Sequence, residues 1–288
     1  MDKLDKKSLK DDKNKTYIIV DTSYWIFYRY FALMQWWKHA KTDTELPENP
    51  YDCPEFVEKF IKTFTESIET FKKKQKIHKQ HCHIIAARDC PRKEIWRNKL
   101  YPKYKESRDK DDGFMGGNFF KLVYDNDNEL ILKAKIDYVL KYPNLEADDI
   151  VAITKNMIRE KYPDAPIYII ANDHDYLQLL DNKCEIINFQ QKSLRENKKV
   201  FLEAKKNLFY KIVLGDKSDC ISSVFKKCGP KTAEKYYNDP EELRKAFSKE
   251  DGTQEKFDLN KKIISFSEIP EELVKGVKEK YAKIYAEL

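Results

Sequence analysis

Apolar residues fall into two kinds of pattern along this chain. Short unbroken runs rich in β-branched residues occur at YIIVD (17–21), HIIAARD (83–89), IYIIA (167–171) and CEIINF (184–189), and such runs suit strands buried on both faces. Between them the period lengthens to that of a helix. EFVEKFIKTFTESIETFKKK places Phe56, Phe60, Phe64, Ile68 and Phe71 on one stripe, which reads as core. An aromatic-rich helix is predicted over 23–39, and further helices over 129–141 and 145–161. Strands alternating with helices predict an α/β fold, a mainly parallel central sheet with helices on both faces, over 16–200. From Leu202 the strand signals stop, and 201–288 is expected to form a helical subdomain.

Two segments break the alternation. Residues 1–15 carry mixed charge and no apolar region, which predicts a solvated tail rather than a signal peptide or anchor. Residues 92–128 begin basic and aromatic and turn Gly- and Asp-rich; long aperiodic stretches inside a domain are usually functional or disordered. Here Lys and Arg interleave with Trp96, Tyr101 and Tyr104, which suits a channel that tracks a phosphate backbone and stacks on bases. Composition permits this without requiring it. With 55 Lys+Arg against 49 Asp+Glu, the net charge of +6 is a small remainder. Six cysteines form no CxxC pair, which fits reduced thiols in an intracellular compartment. No apolar run approaches the roughly 20 residues that cross a bilayer.

The chemistry lies in the acids. YIIVD ends in Asp21, HIIAARD in Asp89, and IYIIANDHD in Asp173 and Asp175; parallel strands present their carboxyl ends along one edge, so these four are expected to converge. NLEADDIVA adds Glu146, Asp148 and Asp149, and GDKSD adds Asp216 and Asp219. Acids in a first helical turn also favour the helix dipole, and GDKSD also reads as a capped turn. Nine carboxylates together would repel unless cations sat among them. All-oxygen donors suit Mg²⁺ or Mn²⁺, and a pair of such ions about 4 Å apart is suited to phosphodiester hydrolysis. No Walker loop is present. His78, His81, Cys82 and His83 have no second ligand pair nearby, and read as solvated or packed side chains.

NLEADDIVA, ANDHDYLQLL and GDKSDCISSVFKKCGPKTA resemble the ExDD, SxDxDxxQL and GDxSDNIPGVxGIGxKTA elements of the flap endonuclease and 5′-nuclease superfamily. Asp21 with its helix, and ARDCPRKEIWRNKLYPKYKESR, are similar to the family's first strand-helix and its basic segment. The likeness spans 17–240 in the same order, and the size is similar to the stand-alone enzymes of phages and large DNA viruses. It implies a 5′→3′ exonuclease and flap endonuclease acting on DNA with a free 5′ end or 5′ flap, with RNA-DNA hybrids and primer removal as further roles, and a monomer. By position, Asp21, Asp89, Glu146, Asp148 and Asp173 would surround a first metal, Asp175, Asp216 and Asp219 a second, and Asp149 would support either. Arg97, Lys105 and Arg108 would orient the scissile phosphate at the base of a helical arch. A helix-three-turn-helix over about 215–237 would hold duplex phosphates through Lys226, Lys227, Gly229, Lys231 and Thr232, with Ser218 beside a monovalent cation.

The chain also departs from the family pattern. Asn172 replaces a small residue, the first hairpin glycine is missing where Lys226 and Lys227 stand, and Arg29 lies one position later than the family's helix arginine. That shift rotates Arg29 by about 100° around a helix. A DNA-binding relative that had lost the chemistry would lack several carboxylates, and a small ribonuclease would not need the 215–237 element; neither description fits.

Overall fold

The computed structural model describes residues 15–41, 45–109 and 113–288. The expected tail lies, but for Lys15, outside the described residues. Five strands, β1 (Thr16–Asp21), β2 (Cys82–Ala87), β3 (Tyr138–Leu140), β4 (Ile167–Ile170) and β5 (Cys184–Ile187), form a sheet in the order β3-β2-β1-β4-β5. Every pairing is parallel, with Ile19 of β1 opposite Ile85 on one side and Ile169 on the other. Tyr17, Ile18, Ile19 and Val20 are wholly buried, as a central strand covered on both faces requires.

Around the sheet run α1 (Thr22–Ala40), α2 (Pro54–Thr65), α3 (Ser67–Lys74), α4 (Arg97–Leu100), α5 (Gly117–Tyr124), α6 (Glu129–Lys133) and α7 (Ala147–Lys161). Strand alternation sorts the core into two layers. Ile18, Val20, Ile84 and Ala86 meet α1, α2 and α3, where the Phe56–Phe71 stripe is buried. Tyr17, Ile19, Ile85 and Ile169 meet α7. Trp25 of α1 lies 3.8 Å from Phe64 between ring centroids and donates its Nε1–H to Ser67 at 2.7 Å, so the indole is satisfied inside the core.

The helix expected over 129–141 is a correction. α6 stops at Lys133, Lys135 takes φ 61, and Tyr138–Leu140 becomes the edge strand β3. Asp137 accepts the Ile84 N–H at 2.8 Å and so fastens that edge; a short apolar stretch of this kind cannot be told from helix by period alone. Within 113–124, part of the expected arch, α5 lies on the core, with Phe119 wholly buried 4.7 Å from Phe60.

Beyond β5 come α8 (Ala204–Leu214), α9 (Pro230–Asn238), α10 (Pro240–Lys249), α11 (Thr253–Ile264), α12 (Glu271–Lys280) and α13 (Ala282–Glu287). α8, α9 and α10 share a small core of Tyr210, Val213, Val224, Phe225 and Ala233. Phe266, Val277 and Tyr285 instead join the α7 side of the sheet core, so packing returns to the α/β unit before the chain's last residues. Among the described residues no helix is long and apolar enough to cross a membrane.

Candidate active site

Asp21 ends β1 and caps α1: its Oδ1 accepts the Tyr24 N–H at 2.9 Å and its Oδ2 the Tyr176 hydroxyl at 2.7 Å. Asp89, two residues past β2, accepts the Ala147 N–H at 2.8 Å and the Ser23 hydroxyl. Glu146 and Asp148 arrive at the start of α7, and Asp173 follows β4. These acids line one cavity of about 390 Å³, together with Phe27, Lys105, Arg108 and Asn172. Burial, reinforced by Asp89, pushes Asp21 up to about 7. Burial likewise lifts Asp89, with Glu146 adding to it, and lifts Asp148, with Glu146 and Asp149 adding. Acids raised together mark a place poor in solvent and crowded with carboxylates.

Glu146 behaves differently. Burial opposes its charge, yet Lys105 at 2.5 Å and Arg97 at 3.0 Å outweigh that and hold it below the usual range. The Tyr104 hydroxyl adds a bond at 2.9 Å.

Arg97 and Asp149 are enclosed together. Asp149 is wholly buried; both its oxygens accept from Arg97, at 2.8 and 2.7 Å, and Trp96 Nε1–H lies 3.0 Å from one of them. It also accepts the Glu146 N–H at 3.2 Å, closing a capping box on α7. Arg97 is 2% exposed and donates Nε–H to the Ile263 carbonyl at 2.7 Å. It cannot meet a phosphate there. It joins α4, α7 and α11, and removing it would leave the buried Asp149 without its cation, at about 3–5 kcal/mol.

The second group forms where α8 ends. Gly215 takes φ 72, and an added Cβ would lie 2.4 Å from the Ile221 carbonyl oxygen; the tight return that glycine permits pairs Asp216 with Ile221. One oxygen each of Asp175, Asp216 and Asp219 lie within 4.8 Å of one another. Lys211 of α8 stands on Asp175 and 2.8 Å from Asp216. Burial works against Asp216's charge, but Lys211 and the Ser218 hydroxyl, at 2.6 Å, hold its pKa down to about 2. Arg108 lies 2.7 Å from Asp219, whose pKa burial still raises. Lys105, at φ 57, links the groups: its Nζ is 2.5 Å from Glu146 and 4.0 Å from Asp219.

The expected phosphate-binding residues lie at and before the start of α9. Lys226 is exposed, 4.0 Å from Glu250. Lys227 takes φ 55, so the hairpin reaches the left-handed region without its glycine. Gly229 caps α9, Pro230 opens it, and Lys231 and Thr232 occupy its first turn. His81 and His83 pack at the other end of β2, His83 stacking 5.4 Å from Tyr17.

Lys211 and Tyr176 escaped the sequence reading, and Tyr104, read there as a stacking ring, donates its hydroxyl to Glu146. Only folding puts each of them against an acid. The donor set fits hard divalent cations: it is all oxygen, and among the described residues the clusters able to hold an ion are Glu146–Asp148–Asp149 and Asp175–Asp216–Asp219. Asp149 of the first cluster also pairs with Arg97, while Glu146 and Asp148 line the cavity with Asp21, Asp89 and Asp173.

Residues 16–206 match the family described as 5′-3′ exonuclease, N-terminal resolvase-like domain. No curated protein matches the chain significantly. Among solved structures, a bacteriophage T5 protein co-crystallised with metal ions is 15% identical, with 93% of this chain and 99% of that one covered and a TM-score of 0.60. The phage T5 flap endonuclease in a pseudo-enzyme-product complex with DNA and metal ions is 14% identical, with 94% and 99% covered and a TM-score of 0.63. The phage T5 5′-exonuclease with bound zinc is 15% identical, with the same coverage and a TM-score of 0.59.

Proposed function

The chain belongs to the 5′-3′ exonuclease family, and we propose that it is a divalent-metal-dependent enzyme that hydrolyses phosphodiesters near free 5′ ends of DNA, both as exonuclease and as flap endonuclease. The observation that carries this reading is the convergence of Asp21, Asp89, Glu146, Asp148 and Asp173 on one cavity, with three of them raised by burial and, to a lesser degree, by neighbouring carboxylates. Two Mg²⁺ or Mn²⁺ ions fit, one among those acids and one among Asp175, Asp216 and Asp219. When bound they supply water activation and neutralise charge developing on the phosphoryl group.

The protein's own groups do the positioning. Lys105, held between Glu146 and Asp219, and Arg108, half in solvent, would orient the scissile phosphate. Phe27, exposed at the cavity wall, offers a ring to a base. The 226–232 hairpin and the start of α9 receive duplex phosphates and a monovalent cation, Lys226 and Lys227 supplying charge. A monomer suits a strand that must thread.

A 5′-labelled flap DNA incubated with protein and Mg²⁺ is expected to release short products, to be spared in EDTA, and to be spared by Asp173→Asn. Binding without cleavage in Mg²⁺ would reject the enzyme, and cleavage surviving EDTA would reject the metals. A 5′-labelled RNA annealed to DNA, run in parallel, tests hybrids directly.

A further inference from the structure

A second cavity, of about 230 Å³, lies between α1, the α2–α3 junction and the chain beyond β5; Tyr28, Arg29, Thr63, Glu66, Lys74 and Phe189 are among its walls. It does not open on the carboxylates. Phe189 stands 5.7 Å from Tyr24, which lines the acidic cavity, and 5.3 Å from Tyr28, which lines this one. An aromatic wall therefore separates the two.

Arg29 is the unusual member. Its guanidinium lies 4.7 Å from the Tyr28 ring centroid and donates from Nη1 to the Thr63 carbonyl at 3.4 Å, while its Nε is buried with no hydrogen-bond partner. Arg97, Arg159 and Arg195 each have a carboxylate within 3.0 Å. Arg29 has none in ion-pair range among the described residues, although Glu66 shares its cavity. Burial makes the charge costly, lowering its pKa, and an unfilled buried donor is costly too. Lys74, exposed at the rim, adds a second positive charge.

We propose that this cavity binds one backbone phosphate of the nucleic-acid substrate, through Arg29 with Lys74 at its mouth. A phosphate is compact, carries several acceptor oxygens, and matches the fork of a guanidinium. A free base is a poorer match, because Tyr28 already has Arg29 against its ring. Position favours the substrate as the source: Asp21 caps α1 and Arg29 lies eight residues on, about 12 Å along the helix axis. A strand held at the carboxylates therefore passes within reach. This inference rests on the nucleic-acid substrate proposed above.

The test is the salt dependence of flap-DNA binding, followed by fluorescence anisotropy in EDTA, where no cleavage intervenes. Arg29→Ala is expected to weaken binding about tenfold and to flatten the slope of log affinity against log salt by about one. Lys74→Ala, a rim change that leaves packing intact, is expected to flatten it by a smaller amount, and Glu66→Gln to tighten binding. Unchanged slopes in both Arg29→Ala and Lys74→Ala would overturn the proposal, as would calorimetric binding of inorganic phosphate that these variants lose while their slopes stay at the wild-type value. Wild-type cleavage of the same flap in Mg²⁺ is measured alongside. Its absence would reject the nuclease reading while leaving the slope result to decide the cavity.

Discussion

Asp21, Asp89 and Asp148 stand together and make no ion pair among the described residues, and all three are lifted above the ordinary carboxylate range. Asp175, Asp216 and Asp219, a short distance away across Lys105, each touch a lysine or arginine, and Asp216 is held at about 2. The contrast follows from which elements supply the groups. The first set comes off buried strands and the start of α7, where the hydrogen-bond partners are uncharged hydroxyls and backbone N–H groups. The second lies at the end of α8, whose polar side brings Lys211 within reach. Acids without cations must take up protons or ions; acids that already hold lysine offer an ion less. The first group should therefore bind divalent metal more tightly than the second.

The largest expected effect separates the groups outright. Asp148→Asn should lower kcat by about three orders of magnitude, the loss of several kcal/mol of charge stabilisation, and should abolish the tighter of two Mn²⁺ binding steps in a calorimetric titration. Asp216→Asn should spare that step and affect the weaker one. Loss of the tighter step in both variants would break the comparison.

A smaller effect concerns stability without metal. Asp21 has a folded pKa of about 7 against 3.8 as an isolated side chain, so the folded state binds the extra proton. Its contribution is full below about pH 4 and is lost as pH rises to 7 and beyond. In EDTA at pH 8, Asp21→Asn should raise Tm by about 5 °C, and Mg²⁺ should raise the wild-type Tm more than that of the variant. A variant that melts lower than wild type at pH 8 would show that Asp21 is not under charge stress.

The smallest effect sharpens the first group internally. Tyr176 donates to Asp21 Oδ2 and packs 6.4 Å from Phe266, while Gln178 holds the Ile264 carbonyl at 2.9 Å. Tyr176→Phe keeps the packing and removes the hydroxyl. It should raise the Mg²⁺ concentration for half-maximal activity about tenfold and weaken Mn²⁺ binding in parallel, with kcat at saturating metal little changed. A fall in kcat with unchanged metal affinity would assign the hydroxyl to another task.

The legible part of the molecule was the part written in local pattern. Uniformly apolar, β-branched runs revealed four of the five strands, and the phenylalanine stripe revealed α2 and α3, because burial on both faces or on one leaves a period in the residues themselves. The acids after β1, β2 and β4 were legible for a related reason: parallel topology sends every carboxyl end to one edge. β3 was not legible, since three residues carry too little period to compete with the helical run before them.

What only the tertiary structure decided was the division of labour among charges. Arg97 and Arg108 stand eleven residues apart in one basic segment, yet one is wholly enclosed against Asp149 and the other half-exposed on Asp219. Asp148 and Asp149 are neighbours in sequence, but successive helical positions differ by about 100°, so one faces the cavity and the other faces Trp96 and Arg97. Asp216 gains its place beside Lys211 from the turn at Gly215, and Arg29 gains its place from the packing of α1 on α2. Residue type and order determined that carboxylates would gather at the sheet edge. Which of them lack a cation was settled by side-chain direction and burial, quantities that exist only when distant segments meet.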